Sequence, residues 1–291
     1  MNPETIIPLV FKLSALLMIF AVGLGASIQD ATYLFRKPRE LARAFLAVNI
    51  VMPLVVVVLI LLFDFHPAVK IALAALALAP IPPVMPPKLM KAGGTQSYAY
   101  GVVIALGLLA VIFVPVAMEM IELAFKVPLQ ISPSRVALVI FISILLPIGL
   151  GMTIRSLAPG AAEKLAQLIS KIAGITLLVS LLGLVFLVRA DIWALVGGGI
   201  FFSLFVFVVI GIAVGHFFGG PGTENRAALA LSTGARHPGI ALAIAQVNYP
   251  DEPLVLAVVI LFMPLSSIVA IPYLIWTKGR QQEVAVQDAV E

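Results

Sequence analysis

Long apolar runs dominate this chain and leave it few ways to fold. Nine of them, at roughly 6–27, 44–63, 67–92, 95–123, 134–157, 168–190, 193–217, 223–249 and 252–277, are about 20 residues or longer. That is the length an α-helix needs to cross the ~30 Å hydrocarbon layer of a bilayer. Inside hydrocarbon every backbone N–H and C=O must find a partner within the structure, a condition that a helix meets by itself. Only 11% of the residues are charged, against about 25% in soluble domains. The chain therefore reads as an all-α integral membrane protein with about nine transmembrane helices. An odd number of crossings puts the two termini on opposite sides. Residues 1–277 make one transmembrane domain followed by a cytoplasmic tail at 278–291, of which about Gly279 to Glu291 is expected to be loosely ordered.

The basic residues orient this domain. With the N-terminus outside, the inner side holds Arg36, Lys37, Arg39, Arg43, Lys88, Lys91, Arg155, Lys164, Lys171, Arg226, Lys278 and Arg280. The outer side holds Lys12, Lys70, Lys126, Arg135 and Arg189. Twelve against five predicts an outer N-terminus and a cytoplasmic C-terminus, in a multi-pass protein of a bacterial inner membrane. Scattered at the ends of apolar runs, these residues form no patch for nucleic acid. The N-terminus lacks a basic region followed by a short apolar core and a cleavage site, so no cleaved signal peptide is expected. The absence of cysteine excludes disulfides and thiolate metal sites.

The eighteenth basic residue, Arg236, falls about halfway along the eighth run, in Gly234-Ala235-Arg236-His237-Pro238-Gly239. An arginine at mid-membrane costs at least ~2.5–3.5 kcal/mol on insertion scales and is rarely there without a use. Pro238 between glycines frees backbone groups that only protein or a wet cavity can satisfy. The third run carries a matching interruption, Pro80-Ile81-Pro82-Pro83-Val84-Met85-Pro86-Pro87, again near its middle. Each broken run precedes a long apolar helix with a proline inside, Pro115 in one and Pro264 in the other. Residues of about 6–123 and 168–277 thus read as two four-helix units of opposite orientation around a linking helix at 134–157. Two broken helices at corresponding places in inverted units point to the binding site of a secondary transporter.

Arg236 has two compatible readings. It can hold a carboxylate or another anion through its fork of donors, or cap the carbonyl end of the half-helix before the break. His237, with an ordinary pKa of ~6.5, could carry a coupling proton, but the reading preferred is a neutral imidazole donating to a freed carbonyl, because the neighbouring arginine disfavours its charged form. The half-helices starting near Pro86–Lys88 and Pro238–Ile240 are expected to turn their N-terminal dipoles toward an anion. Ser14, Thr176, Ser180, Ser266 and Ser267 are expected to bond helix backbones or neighbouring helices, and Asn49 is the best site candidate among such scattered polar residues. Trp193 and Trp276 stand at span ends, as interfacial anchors do. No hydrolytic triad or metal-ligand cluster is visible, so no enzyme is expected.

Met18-Ile19-Phe20-Ala21-Val22-Gly23-Leu24, the Val51-Met52-Pro53 step and Leu231 to Gly239, taken in order and spacing, resemble the bile acid:sodium symporter family, part of a wider group with arsenite and auxin carriers. The resemblance spans about Ile6 to Trp276. It implies a core domain with two crossing, discontinuous helices and a flatter panel domain, and this chain looks like the nine-helix form. It also implies sodium-coupled symport, yet the residues depart from the pattern. Where sodium-coupled members keep a carboxylate two residues before the glycine of the second break, this chain has Ser232. A glutamine and an asparagine after that glycine correspond to Arg236 and His237, and a Ser-Asn pair in the first break corresponds to Met85-Pro86. A glutamine of the helix before it falls on Val48-Asn49. Hard cations need several oxygen ligands, so the usual sodium sites read as dismantled and no cofactor is expected. The expected function is alternating-access transport of a small organic anion, with substrate contacts from Arg236, His237, Pro238, Gly239, Ser232, Asn49, Met85, Pro86 and Pro87. Proton-linked transport, uniport, or a non-transporting membrane sensor of the same fold are the alternatives.

Overall fold

A computed structural model describes residues 2–125, 132–220 and 223–288, and all regular structure among them is helical. Seven of the described helices are long and apolar enough to cross a bilayer without interruption. These are α1 (Pro3–Gly25), α2 (Pro38–Leu62), α5 (Gln96–Phe125), α6 (Ser134–Leu157), α7 (Pro159–Leu187), α8 (Ile200–Phe218) and α11 (Val255–Asp288). The third and eighth expected spans are instead pairs of shorter helices. They are α3 (Pro67–Leu78) with α4 (Met85–Lys91), and α9 (Thr223–Gly234) with α10 (Pro238–Asn248).

Two boundaries lie well outside the apolar runs. α2 starts at Pro38 rather than near 44, and α7 at Pro159 rather than near 168. In both, proline occupies the first turn, where its missing N–H costs nothing, and charged residues such as Arg39, Glu40, Glu163 and Lys164 extend the helix past the apolar stretch. The tail expected to be loosely ordered from about Gly279 is helical as far as Asp288, the end of α11, and residues 289–291 lie outside the described residues. A single glycine lowers helix propensity by about 1 kcal/mol, too little to end a helix already seeded inside the membrane. Lys126, expected on the outer side, lies outside the described residues.

α1 packs against α6 and α7, and these three form one layer; α2 to α5 and α8 to α11 form the other. Backbone approach sets the first contact. A Cβ on Gly23 would strike the Ile148 carbonyl, and one on Gly151 would stand 2.5 Å from the Phe20 oxygen. Small residues at such crossings let membrane helices come close enough for dispersion to hold them. The α1 end is tied further by Arg155, whose Nη1 donates to the Leu24 carbonyl at 3.0 Å. In the other layer Gly211 and Gly215 of α8 lie against the last turn of α9, where a Cβ on Gly211 would meet Gly234 Cα at 2.9 Å.

The polar residues inside the spans mostly satisfy backbone, as expected. Ser14 Oγ donates to the Val10 carbonyl at 2.7 Å and to Thr176 Oγ1 at 2.8 Å, and Ser180 to the Thr176 carbonyl at 2.7 Å. Between α1 and α2, Asp30 closes a capping box with Ser27 and accepts from Ser97 at the start of α5 (2.7 Å). One buried carboxylate therefore joins the two layers at this end.

Candidate functional site

The two breaks touch. Pro80, Pro82 and Pro83 cannot donate backbone hydrogen bonds, so the chain between α3 and α4 leaves carbonyls open. His237, in the gap between α9 and α10, donates its backbone N–H to the Pro80 carbonyl at 2.8 Å. The His237 ring caps α10: Nδ1 accepts from the Ile240 N–H at 3.4 Å. An accepting Nδ1 places the proton of a neutral imidazole on Nε2. The expected donation to a freed carbonyl thus comes from the main chain of His237, while its ring serves as an acceptor.

Arg236 is 1% exposed and is the largest fully buried side chain among the described residues. Its Nη1 donates to the Ala235 carbonyl at 3.0 Å and its Nη2 to the Val48 carbonyl at 3.1 Å. The guanidinium carbon lies 5.7 Å from the centre of the Phe207 ring. Val48 is available for a local reason. Residues Leu46–Val51 form a wide turn with i→i+5 hydrogen bonds. In that register the acceptor at Val48 would be met by the N–H of residue 53, which is Pro53 and has none. Arg236 fills the vacancy that Pro53 makes. Arg236 thus bonds one carbonyl just past the end of α9 and one on α2. Asn49, beside Val48, is buried on the same turn.

Three buried polar atoms of the second break make no hydrogen bond among the described residues: Ser232 Oγ, Arg236 Nε and His237 Nε2. All three can donate. Arg236 also reaches a cavity of about 410 Å³, lined on the breaks by Pro82, Val84, Met85, Lys88, Ala235, Arg236 and Pro238. α8 supplies Val208 and Ile212, and α11 supplies a wall that includes Phe262, Met263, Ser266, Ser267 and Ile271. Of the residues expected at the site, Arg236, Pro238 and Met85 line the cavity. Ser232, His237, Gly239, Asn49, Pro86 and Pro87 are not among its lining residues.

A sequence profile of the Sodium Bile acid symporter family matches residues 13–196. The chain belongs to this family. No curated protein matches it closely enough to count. The matched stretch takes in the first break and ends before the second, so Ser232, Arg236 and His237 lie beyond it.

For a sodium symporter family member, the acceptor inventory at the breaks is unusual. The Val48 and Ala235 carbonyls already accept from a guanidinium, and the unpaired side-chain atoms nearby can all donate. A hard cation needs oxygen acceptors, and no carboxylate lines the cavity. The N-terminal ends of the half-helices also give less than the sequence promised. Pro86 and Pro87 have no N–H, and that of Met85 goes to the Pro82 carbonyl at 3.1 Å. Pro238 likewise has none, and that of Ile240 is spent on the His237 ring. The prolines that make the breaks remove several of the backbone donors that would have faced an anion.

Sequence reasoning missed the α11 wall, and it placed Lys88 as a topology marker and as part of the half-helix end at Pro86–Lys88 without giving its charge a role. Ser266 and Ser267 were visible as polar residues, and both hydroxyls do bond the Met263 carbonyl, at 3.0 and 3.1 Å. Nothing in the sequence distinguishes Phe262 or Ile271, because an apolar residue facing a cavity and one facing lipid look alike in an apolar helix.

Proposed function

We propose that this protein is a secondary transporter that carries a small organic anion across the membrane by alternating access, without sodium. The observation that carries the reading is the character of the second break: a buried arginine on a cavity, flanked by unpaired donors and without a carboxylate among the lining residues. Unpaired donors beside a cavity suit an anion, and a carboxylate on the Arg236 guanidinium would make a charge-assisted bond worth about 1.5–3 kcal/mol. The order of elements supports the transport step. α1, α2, the α3/α4 break and α5 read as one unit, and α7, α8, the α9/α10 break and α11 as its inverted counterpart. The layer of α1, α6 and α7 then corresponds to the panel against which the other helices move. With an imidazole whose Nδ1 is an acceptor, His237 is better suited to neutral capping than to carrying a proton, so uniport is favoured over proton coupling.

The test is uptake of labelled organic acids by the purified protein in liposomes. Saturable uptake is expected for the intact protein, and its loss in Arg236→Ala, with the gel-filtration profile unchanged. Full uptake by a folded Arg236→Ala variant would remove Arg236 from the binding site.

A further inference from the structure

We infer that the transported anion carries two negative charges, one met by Arg236 and the other by Lys88. The inference rests on the anion reading above and adds the charge and character of the substrate. Each break contributes one cation to the same cavity. Arg236 comes from the gap before α10, and Lys88 from α4, three residues after Met85 and therefore on the same helical face; both line the cavity. No aspartate or glutamate lines it. Among the described residues the ion pairs are Lys37–Glu40 and Lys70–Asp64, both elsewhere. Arg236 is buried and Lys88 exposed, and with no counter-charge on the cavity the two like charges repel each other. A monoanion would compensate one of them, and a dianion compensates both. The rest of the wall is hydrocarbon, with Val208, Ile212, Phe262 and Ile271 prominent, and the two serine hydroxyls are already donated to the Met263 carbonyl. Such a wall suits a plain aliphatic chain between two acid groups and offers little to a polyhydroxylated one. The substrate class is a short aliphatic dicarboxylate.

The experiment compares succinate, glutarate and adipate with butyrate, valerate and hexanoate, chain length by chain length. Thermal stabilisation and liposome uptake are both measured at neutral pH. The dicarboxylates are expected to act at concentrations roughly 10- to 100-fold lower, the worth of one further charged hydrogen bond. Lys88→Gln should lose that preference, with dicarboxylates falling to the level of the monocarboxylates, and Lys88→Arg should keep it. Equal action of both classes on the intact protein, or a preference that persists in Lys88→Gln, overturns the inference and leaves the anion reading standing. Saturable uptake of neither class overturns both.

Discussion

Pro53 and Arg236, 183 positions apart in the numbering of the chain, should be energetically coupled through one oxygen atom. In the structure the Val48 carbonyl accepts from Arg236 Nη2 at 3.1 Å, because Pro53 cannot supply the N–H that the wide turn at Leu46–Val51 calls for. Arg236→Ala strands that carbonyl in the membrane interior. In a Pro53→Ala background the new N–H lies in register to reach the same oxygen, so removing the arginine costs less. The Ala235 contact and the burial of the guanidinium are common to both backgrounds and cancel. What remains is the single charge-assisted bond, about 1.5–3 kcal/mol. In chains of this size about 1 kcal/mol moves the unfolding midpoint by roughly 2–4 °C, so the coupling should appear as ~3–12 °C. The assay is thermal unfolding of the four proteins (intact, each single variant and the double) in one detergent, without added anion, followed by Trp193 and Trp276 fluorescence. Costs that add to within about 0.5 kcal/mol would refute the argument, since independent sites behave that way.

Other expectations follow from the packing and from the loop at one end of the bundle. Gly151→Leu should force α1 and α6 apart and cost about 1–3 kcal/mol or more as overpacking, whereas Gly149→Leu on the same helix, with nothing within 4 Å of its Cβ position, should leave the melting temperature almost unchanged. Asp30 is subject to burial, which opposes its ionisation, but hydrogen bonds from Ser97, from Ser27 and from Gln96 outweigh it and hold the carboxyl below its ordinary value of 3.8. Because the folded value is the lower one, this contribution to stability is complete above the ordinary value and is lost as pH falls through the folded one. Melting temperatures across pH 2–6 should therefore show an acid limb that shrinks in Asp30→Asn; an unchanged limb would count against the capping role.

The breaks could be read from the sequence because they are made of residues with strong local rules: clustered prolines cannot continue a helix, and an arginine among apolar residues has to be accounted for. The start of α2 at Pro38 and of α7 at Pro159 was harder to see, since hydropathy measures how much of a helix is apolar and not how long the helix is. The family resemblance named the fold and placed Ser232, Arg236 and His237 in one region. It could not say that Arg236 would bond the Val48 carbonyl, because that depends on the register of a wide turn in a helix far away in sequence. Nor could it show that Pro86, Pro87 and Pro238, expected to open anion-facing helix ends, would leave those ends poor in donors. Lys88 carried two meanings at once, a charge near an inner loop and a charge on a cavity, and only the packing of α4 against α9 and α5 separates them.

Sodium-independent transport is the claim on which the account turns. It is tested most directly by the initial rate of organic acid uptake into liposomes, measured with sodium and again with sodium fully replaced by choline or potassium at equal ionic strength. Equal rates are predicted, because the Val48 and Ala235 carbonyls already accept from Arg236 and no carboxylate lines the cavity. A saturable rise in rate with sodium concentration would contradict the account.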